Sequence, residues 1–157
     1  MLKNIIKYLF ICFSLFLLGG CASTGMVKAN AEKTALVKEF NNPPEGKSGL
    51  YLYRYTPLNF GAAIVRSTHL DNFLIARLKH KEFVYLDVNP GEHTISTESE
   101  FGLNELKLLF KVGKNYFVRQ YIKMGVFVGG SNLVQMDEAK AKKDLKEDDY
   151  KLMEFKK

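Results

Sequence analysis

The sequence predicts an all-β domain: a small antiparallel β-sandwich carried on a lipidated N-terminal tether, with a short C-terminal helix. Three observations predict it. From Ser48 to Val134 apolar side chains recur with a period of two, the pleat of a strand, rather than 3.6. Turn-forming residues interrupt that alternation at short intervals. Ahead of it lies a basic and then apolar leader that stops at Cys21. With 157 residues, 46% apolar content and 2 Cys, the chain is one modest domain. Its core needs no disulfides, and the composition excludes a Cys-based zinc site and a disordered chain.

The leader spans residues 1–20. Lys3 and Lys7 precede eleven uncharged residues, Tyr8 to Leu18, a run too short to cross a hydrocarbon layer, which takes about 20. Leu18-Gly19-Gly20-Cys21 resembles the bacterial lipobox, so Cys21 is the expected lipidation site, and Cys12 leaves with the leader. Ala22 stands where an inner-membrane retention signal would have Asp, which points to the outer membrane, facing the periplasm. Residues 21–47, rich in Ser, Thr, Asn, Lys and Glu, read as a lipid-anchored linker reaching roughly 25 to 30 Å, with a short helix available between Ala29 and Phe40 before Pro43 and Pro44.

The sandwich is expected over 48–134. Leu50 and Leu52 face one way and Tyr51, Tyr53 and Tyr55 the other, a strand covered on both faces and so central. Strands follow at Phe73 to Leu78, Phe83 to Val88 and His93 to Glu98, the last two joined as a hairpin by Asn89-Pro90-Gly91-Glu92. Leu106 to Val112 and Tyr116 to Lys123 form a second hairpin across Gly113-Lys114-Asn115, and Gly125 to Val134 is a last strand or apolar loop. The tail, 135–157, carries seven acids and seven bases and reads as a charged helix capped by Asp137, with Met136, Leu145, Leu152, Met153 and Phe155 available to dock it.

Tyr51-Leu52-Tyr53-Arg54, Leu70-Asp71, Pro90-Gly91-Glu92-His93 and Gly113-Lys114-Asn115-Tyr116-Phe117-Val118-Arg119, in this order behind a lipobox, resemble the bacterial lipoproteins of domain-of-unknown-function family 2846. The resemblance runs from about Gly49 to Val134. It implies a β-rich envelope lipoprotein and no reaction.

No catalytic, cofactor or metal constellation stands out. His69, His80 and His93 lack the spacing that puts two ligands on one face. His93 after Pro90-Gly91 instead fits a structural turn, its ring hydrogen-bonded within it and setting the strand's register. A G-x-S-x-G nucleophile elbow is absent, and Gly129-Gly130-Ser131 lacks the G-K-[ST] of a phosphate loop. Without Lys3 and Lys7 the chain holds 21 bases against 17 acids, a mild +4 bias that could attract lipopolysaccharide or peptidoglycan. Nucleic acid is excluded by compartment. The candidate partner contacts are Phe60 and Ile64, in the apolar segment Phe60 to Val65, with Tyr53 and Arg54 on an aromatic and basic face.

The functional expectation is therefore an envelope lipoprotein held in the membrane by Cys21, its β-domain a non-catalytic binding or accessory module for an envelope protein or cell-wall polymer. The alternative is a periplasmic enzyme or enzyme inhibitor whose site leaves no motif.

Overall fold

A computed structural model describes residues 25–56, 61–147 and 149–156. Among these residues the chain forms β1 (Met26–Lys28), α1 (Ala31–Val37), β2 (Ser48–Arg54), β3 (Arg66–Leu70), β4 (Phe73–Leu78), β5 (Glu82–Val88) and β6 (Gly91–Ser99). There follow β7 (Gly102–Phe110), β8 (Asn115–Lys123), β9 (Gly130–Gln135), α2 (Glu138–Glu147) and β10 (Lys151–Phe155). They build a sandwich of a six-stranded sheet, ordered β1-β10-β5-β2-β8-β9, and a four-stranded sheet, ordered β4-β3-β6-β7.

The central position of β2 follows from its sequence. All seven of its residues are buried. Leu50 and Leu52 point between the sheets, where they meet Val84, Val88 and Val118 from their own sheet and Ile75, Leu78, Ile95, Leu108 and Phe110 from the other. Tyr51 and Tyr53 point to the outer face, where Phe83, Phe117, Phe40, Ala141, Leu145 and Leu152 form a second apolar cluster. The Tyr51 and Phe117 rings stack there at 4.9 Å. Fully burying each such side chain contributes about 1.5 to 3 kcal/mol, so a strand apolar on both faces is most stable with cover on both.

Both expected hairpins are instead crossings between sheets. β5 lies in the six-stranded sheet between β10 and β2, while β6 lies in the four-stranded sheet between β3 and β7. Likewise β7 pairs with β6, and β8 pairs with β2 and β9. Asn89-Pro90-Gly91 and Gly113-Lys114-Asn115 do reverse the chain, with Gly91 at φ 137° and Gly113 at φ 73°. A strand has only two hydrogen-bonding edges, and here β5 gives its own to β2 and β10, β6 to β3 and β7, and β8 to β2 and β9, while β7 has β6 alone as its neighbour. Nor is the six-stranded sheet purely antiparallel: β2 runs parallel to β8, and β10 parallel to β5.

The stretch expected to be linker is part of the fold from Gly25 onward. β1 pairs with β10, and Met26, Ala29 and Phe40 are buried. The short helix within it is α1, capped by Asn30, whose side-chain oxygen accepts the Lys33 N–H at 2.7 Å. The tail is a helix followed by a strand. Asp137 caps α2 by accepting the Lys140 N–H at 3.0 Å, Ala141 and Leu145 dock fully buried, and Leu152 and Met153 enter the sheet as part of β10. Strand β3 lies where the sequence shows little alternation, between the apolar segment and the Asp71-Asn72 turn.

If Leu145 carries the docking of α2, Leu145→Ala should destabilise the protein by about 2 to 5 kcal/mol. Urea unfolding followed by circular dichroism measures it, and a loss below about 1 kcal/mol would mean that the helix is not docked.

Candidate functional site

One end of the sandwich gathers the β6–β7 turn, the β8–β9 loop and the segment after Gly61. The β6–β7 turn is a two-residue connection, Glu100-Phe101, closed by the Ser99↔Gly102 pair. The β8–β9 loop, residues 124–129, contains no side chain able to hydrogen-bond apart from the weakly accepting Met124 sulfur. Here large apolar side chains stand in solvent: Phe101 is 79% exposed, Met124 80%, Val126 78% and Phe127 83%, with Leu103 and Val128 more than half exposed beside them. Scattered single apolar residues are ordinary on a surface, whereas these six are grouped on one turn, the start of β7 beside it and one loop.

The loop is built to hold this shape. The Glu100 carboxylate accepts the backbone N–H groups of Val126 at 2.7 Å and Val128 at 3.1 Å, and that of Phe127 between them. These bonds, that from Phe127 foremost, hold the Glu100 carboxyl below its ordinary range. From the start of β3 the half-buried Arg66 guanidinium donates to the Gly129 carbonyl at 2.6 Å.

Below lies a buried polar layer. Gln120 donates to Thr68 and Thr97, and the Thr97 and Ser131 hydroxyls meet at 2.7 Å. Ser131 also donates to the Glu98 carbonyl, which ties β9 to β6 across the two sheets. Arg54, fully buried, donates to the carbonyls of Leu78 at 2.6 Å and Gly61 at 2.9 Å. Burial, with Arg66 nearby, pushes its guanidinium down to about 10, so it stays charged at neutral pH. Three separate connections are thereby fixed relative to one another before anything binds.

The opposite end holds Asp71 and His93. Asp71 at φ 48° and Asn72 at φ 69° form the β3–β4 turn, which aims the Asp71 carboxylate at β6. One carboxylate oxygen accepts the Thr94 N–H at 2.9 Å and the other contacts His93 Nδ1. His93 Nε2 meets the Asn89 carbonyl at 2.9 Å. A carbonyl and a carboxylate both accept, so the ring satisfies both only as imidazolium. The Asp71 bond accordingly raises the His93 pKa and lowers that of Asp71. With both nitrogens engaged, the ring ties the β3–β4 turn to the β5–β6 connection and has no nitrogen turned to a substrate.

Residues 44–131 match the family described as protein of unknown function, DUF2846. The chain belongs to this family. It is also 43% identical over 127 residues to an uncharacterized protein of Haemophilus influenzae, an alignment covering 81% of this chain and 73% of that one. No solved structure matches the chain.

The DUF2846 segment takes in β2 to β8, both ends of the sandwich, and stops inside β9; from outside it β1 and β10 complete the six-stranded sheet and α2 covers its outer face. Within the segment the sequence-derived candidates are scattered. Tyr53 and Arg54 are not available to a partner, since both are fully buried. β2 has neighbours on both edges, and α2 and Tyr150 cover Tyr53, whose ring meets that of Tyr150 edge-on at 5.7 Å. Ile64 is half-buried at the apolar end, close to Gly61, Gly129 and Ile122. Phe60 and Cys21 lie outside the described residues. Asp71 pairs with His93, a contact that no spacing in the sequence announces. His69 and His80 are elsewhere, His80 accepting the Thr56 N–H, and among the described residues no three His, Cys, Asp or Glu converge on a metal-sized site. The residues missed were Phe101 and Glu100. The polar-free run from Met124 to Gly130 was the legible signal; Glu100 carries none, because its role arises only where two loops meet.

Two outcomes test these ends in the DUF2846 fold. The raised His93 pKa contributes stability that is complete below about 6.5 and fades as pH rises through the folded value. The lowered Asp71 pKa contributes stability that is complete above about 3.8 and fades as pH falls through the folded value. Asp71→Asn should therefore lower the melting temperature most between roughly pH 4 and 6.5, the gap to the native chain closing at higher pH; a gap independent of pH would contradict the ion pair. Glu100→Ala should speed amide hydrogen exchange at Val126, Phe127 and Val128 while leaving exchange in β2 unchanged.

Proposed function

We propose that this chain is a lipid-anchored lipoprotein of the outer membrane, facing the periplasm, and that its β-sandwich is a non-catalytic binding module whose contact surface is the apolar end. The observation that carries the binding role is the exposed group of Phe101, Met124, Val126 and Phe127 on connections held in place by Glu100 and Arg66. A surface that shows water almost no polar side chain matches an apolar counterpart better than a sugar polymer or a phosphate, both of which demand donors and charges. Support for the anchor is in the sequence: the basic and apolar leader and Leu18-Gly19-Gly20-Cys21. Two or three acyl chains, at about 0.8 kcal/mol per buried CH₂, hold such a protein in a bilayer without help from its surface. Among the described residues no helix is long and apolar enough to cross a membrane.

Cells grown with labelled palmitate should incorporate label into this chain, and Cys21→Ser should abolish the label and move the protein out of the membrane fraction. An unlabelled native chain whose fractionation the substitution leaves unchanged would refute the anchor.

A further inference from the structure

We propose that the apolar end inserts into the same bilayer that receives the acyl chains, so that the domain is fastened to the membrane at two points. The inference rests on the anchoring at Cys21 proposed above and adds the occupant of the apolar surface.

Length is the first reason. Among the described residues the fold starts with Gly25, whose carbonyl accepts the Lys156 N–H, and β1 follows at once. Only Ala22, Ser23 and Thr24 separate it from Cys21, so the connection spans at most about 14 Å. This is about half the reach expected of a free linker over 21–47. β1 and β9 are the two edges of the six-stranded sheet, five strand spacings or about 24 Å apart. The register sets Gly25 near the level of Asn115, at the end of the sheet away from the β8–β9 loop, so loop and anchor are separated by strand length as well as by width, and on so short a leash the loop meets the bilayer only with the domain tilted. The leash also supplies a high effective concentration, so modest apolar contact suffices.

The chemistry of the loop is the second reason. Backbone N–H groups that leave water need partners from the protein. Those of Val126, Phe127 and Val128 already have one in Glu100. Phe127, Val126, Met124 and Phe101 can therefore enter the headgroup and acyl boundary, roughly 5 to 10 Å deep, with no donor from these three residues left orphaned. Lys123, exposed at the base of the loop, stands where anionic headgroups would be. The anchored edge is complementary to them too: the concavity between α1 and β10 is lined by Lys28, Lys38, Lys146 and Lys151 against a single acid, Asp149.

The chain has no Trp, so Phe127→Trp creates a single fluorophore at an 83% exposed position. The full chain carrying it is purified with its native processing and mixed into phosphatidylethanolamine and phosphatidylglycerol vesicles whose acyl chains are dibrominated. Emission should shift to the blue and fall by about half or more relative to unbrominated vesicles, as expected for a ring at the acyl boundary. Val112→Trp, 59% exposed at the other end of β7, should stay unshifted and unquenched. Adding Val126→Asp should relieve the Phe127→Trp quenching without changing palmitate labelling or vesicle flotation.

An unquenched Phe127→Trp chain that is palmitate-labelled and floats would overturn the insertion while leaving the anchor intact; crosslinking of that residue to another protein or a second copy would then name the true occupant. Equal quenching at Val112→Trp would overturn it as well. If the chain carries no palmitate, the anchor fails separately, and quenching with added vesicles still decides the insertion either way.

Discussion

The fold depends on one strand having no free surface. β2 gives both edges to β5 and β8 and both faces to separate apolar clusters, so nearly every other element is placed by what β2 requires. Gly49 shows how close the fit is: a Cβ there would lie 2.0 Å from the Asn115 side-chain oxygen and 2.9 Å from the Tyr85 ring. Because β2 and β8 are parallel, the chain must leave the sheet and return to the same end. Here the excursion is β3 to β7, and the second sheet is made of it, with β5 laid down on the way.

That route collects connections at the two ends and ties each end differently. Near Asp71 the tie is an exposed ion pair that secures turns. Near Arg54 the tie is internal: guanidinium groups reach carbonyls of several loops, and hydroxyls and the Gln120 amide join β3, β6, β8 and β9 across the sandwich. Buried polar layers of this kind fix one arrangement among the many that an apolar interior tolerates. Their result at the surface is a stiff loop of apolar residues, where a flexible one would fold its side chains back onto the protein. On our reading this stiffness and the shortness of the tether serve a single purpose, a domain pressed to the membrane rather than hung from it.

Much of this was legible residue by residue. The period-two pattern located β2, β4, β5, β6, β7 and β8, and the two-faced pattern of Leu50 to Tyr55 identified the central strand. Asn89-Pro90-Gly91 and Gly113 did mark reversals. What they could not convey was whether the flanking strands pair with each other, because a turn specifies a change of direction and says nothing about which edge is vacant. The same limit hid β10: Lys151-Leu152-Met153-Glu154-Phe155 sits in a run of charges whose balance suits a solvated helix, and it becomes a strand because β5 and β1 each offer it an edge. Arg54 misled in the opposite sense. A lone Arg reads as surface, yet here its two terminal nitrogens donate to backbone carbonyls inside.

Local chemistry suffices for local outcomes: alternation makes a strand, Asn30 and Asp137 start helices, Gly91 and Gly113 turn the chain, and the polar-free run after Lys123 must be exposed or covered as a unit. These follow from torsional preferences and from the hydrogen-bonding capacity of neighbours a few residues apart. Pairing, burial and proximity between distant segments belong to the folded body, since edges and faces are filled by whichever segment gains most from them. Thus Asp71 meets His93, Glu100 seats the loop after Met124, and residues that look like a slack leash become the border strand of a sheet, because each of these contacts exists only once β2 has been enclosed.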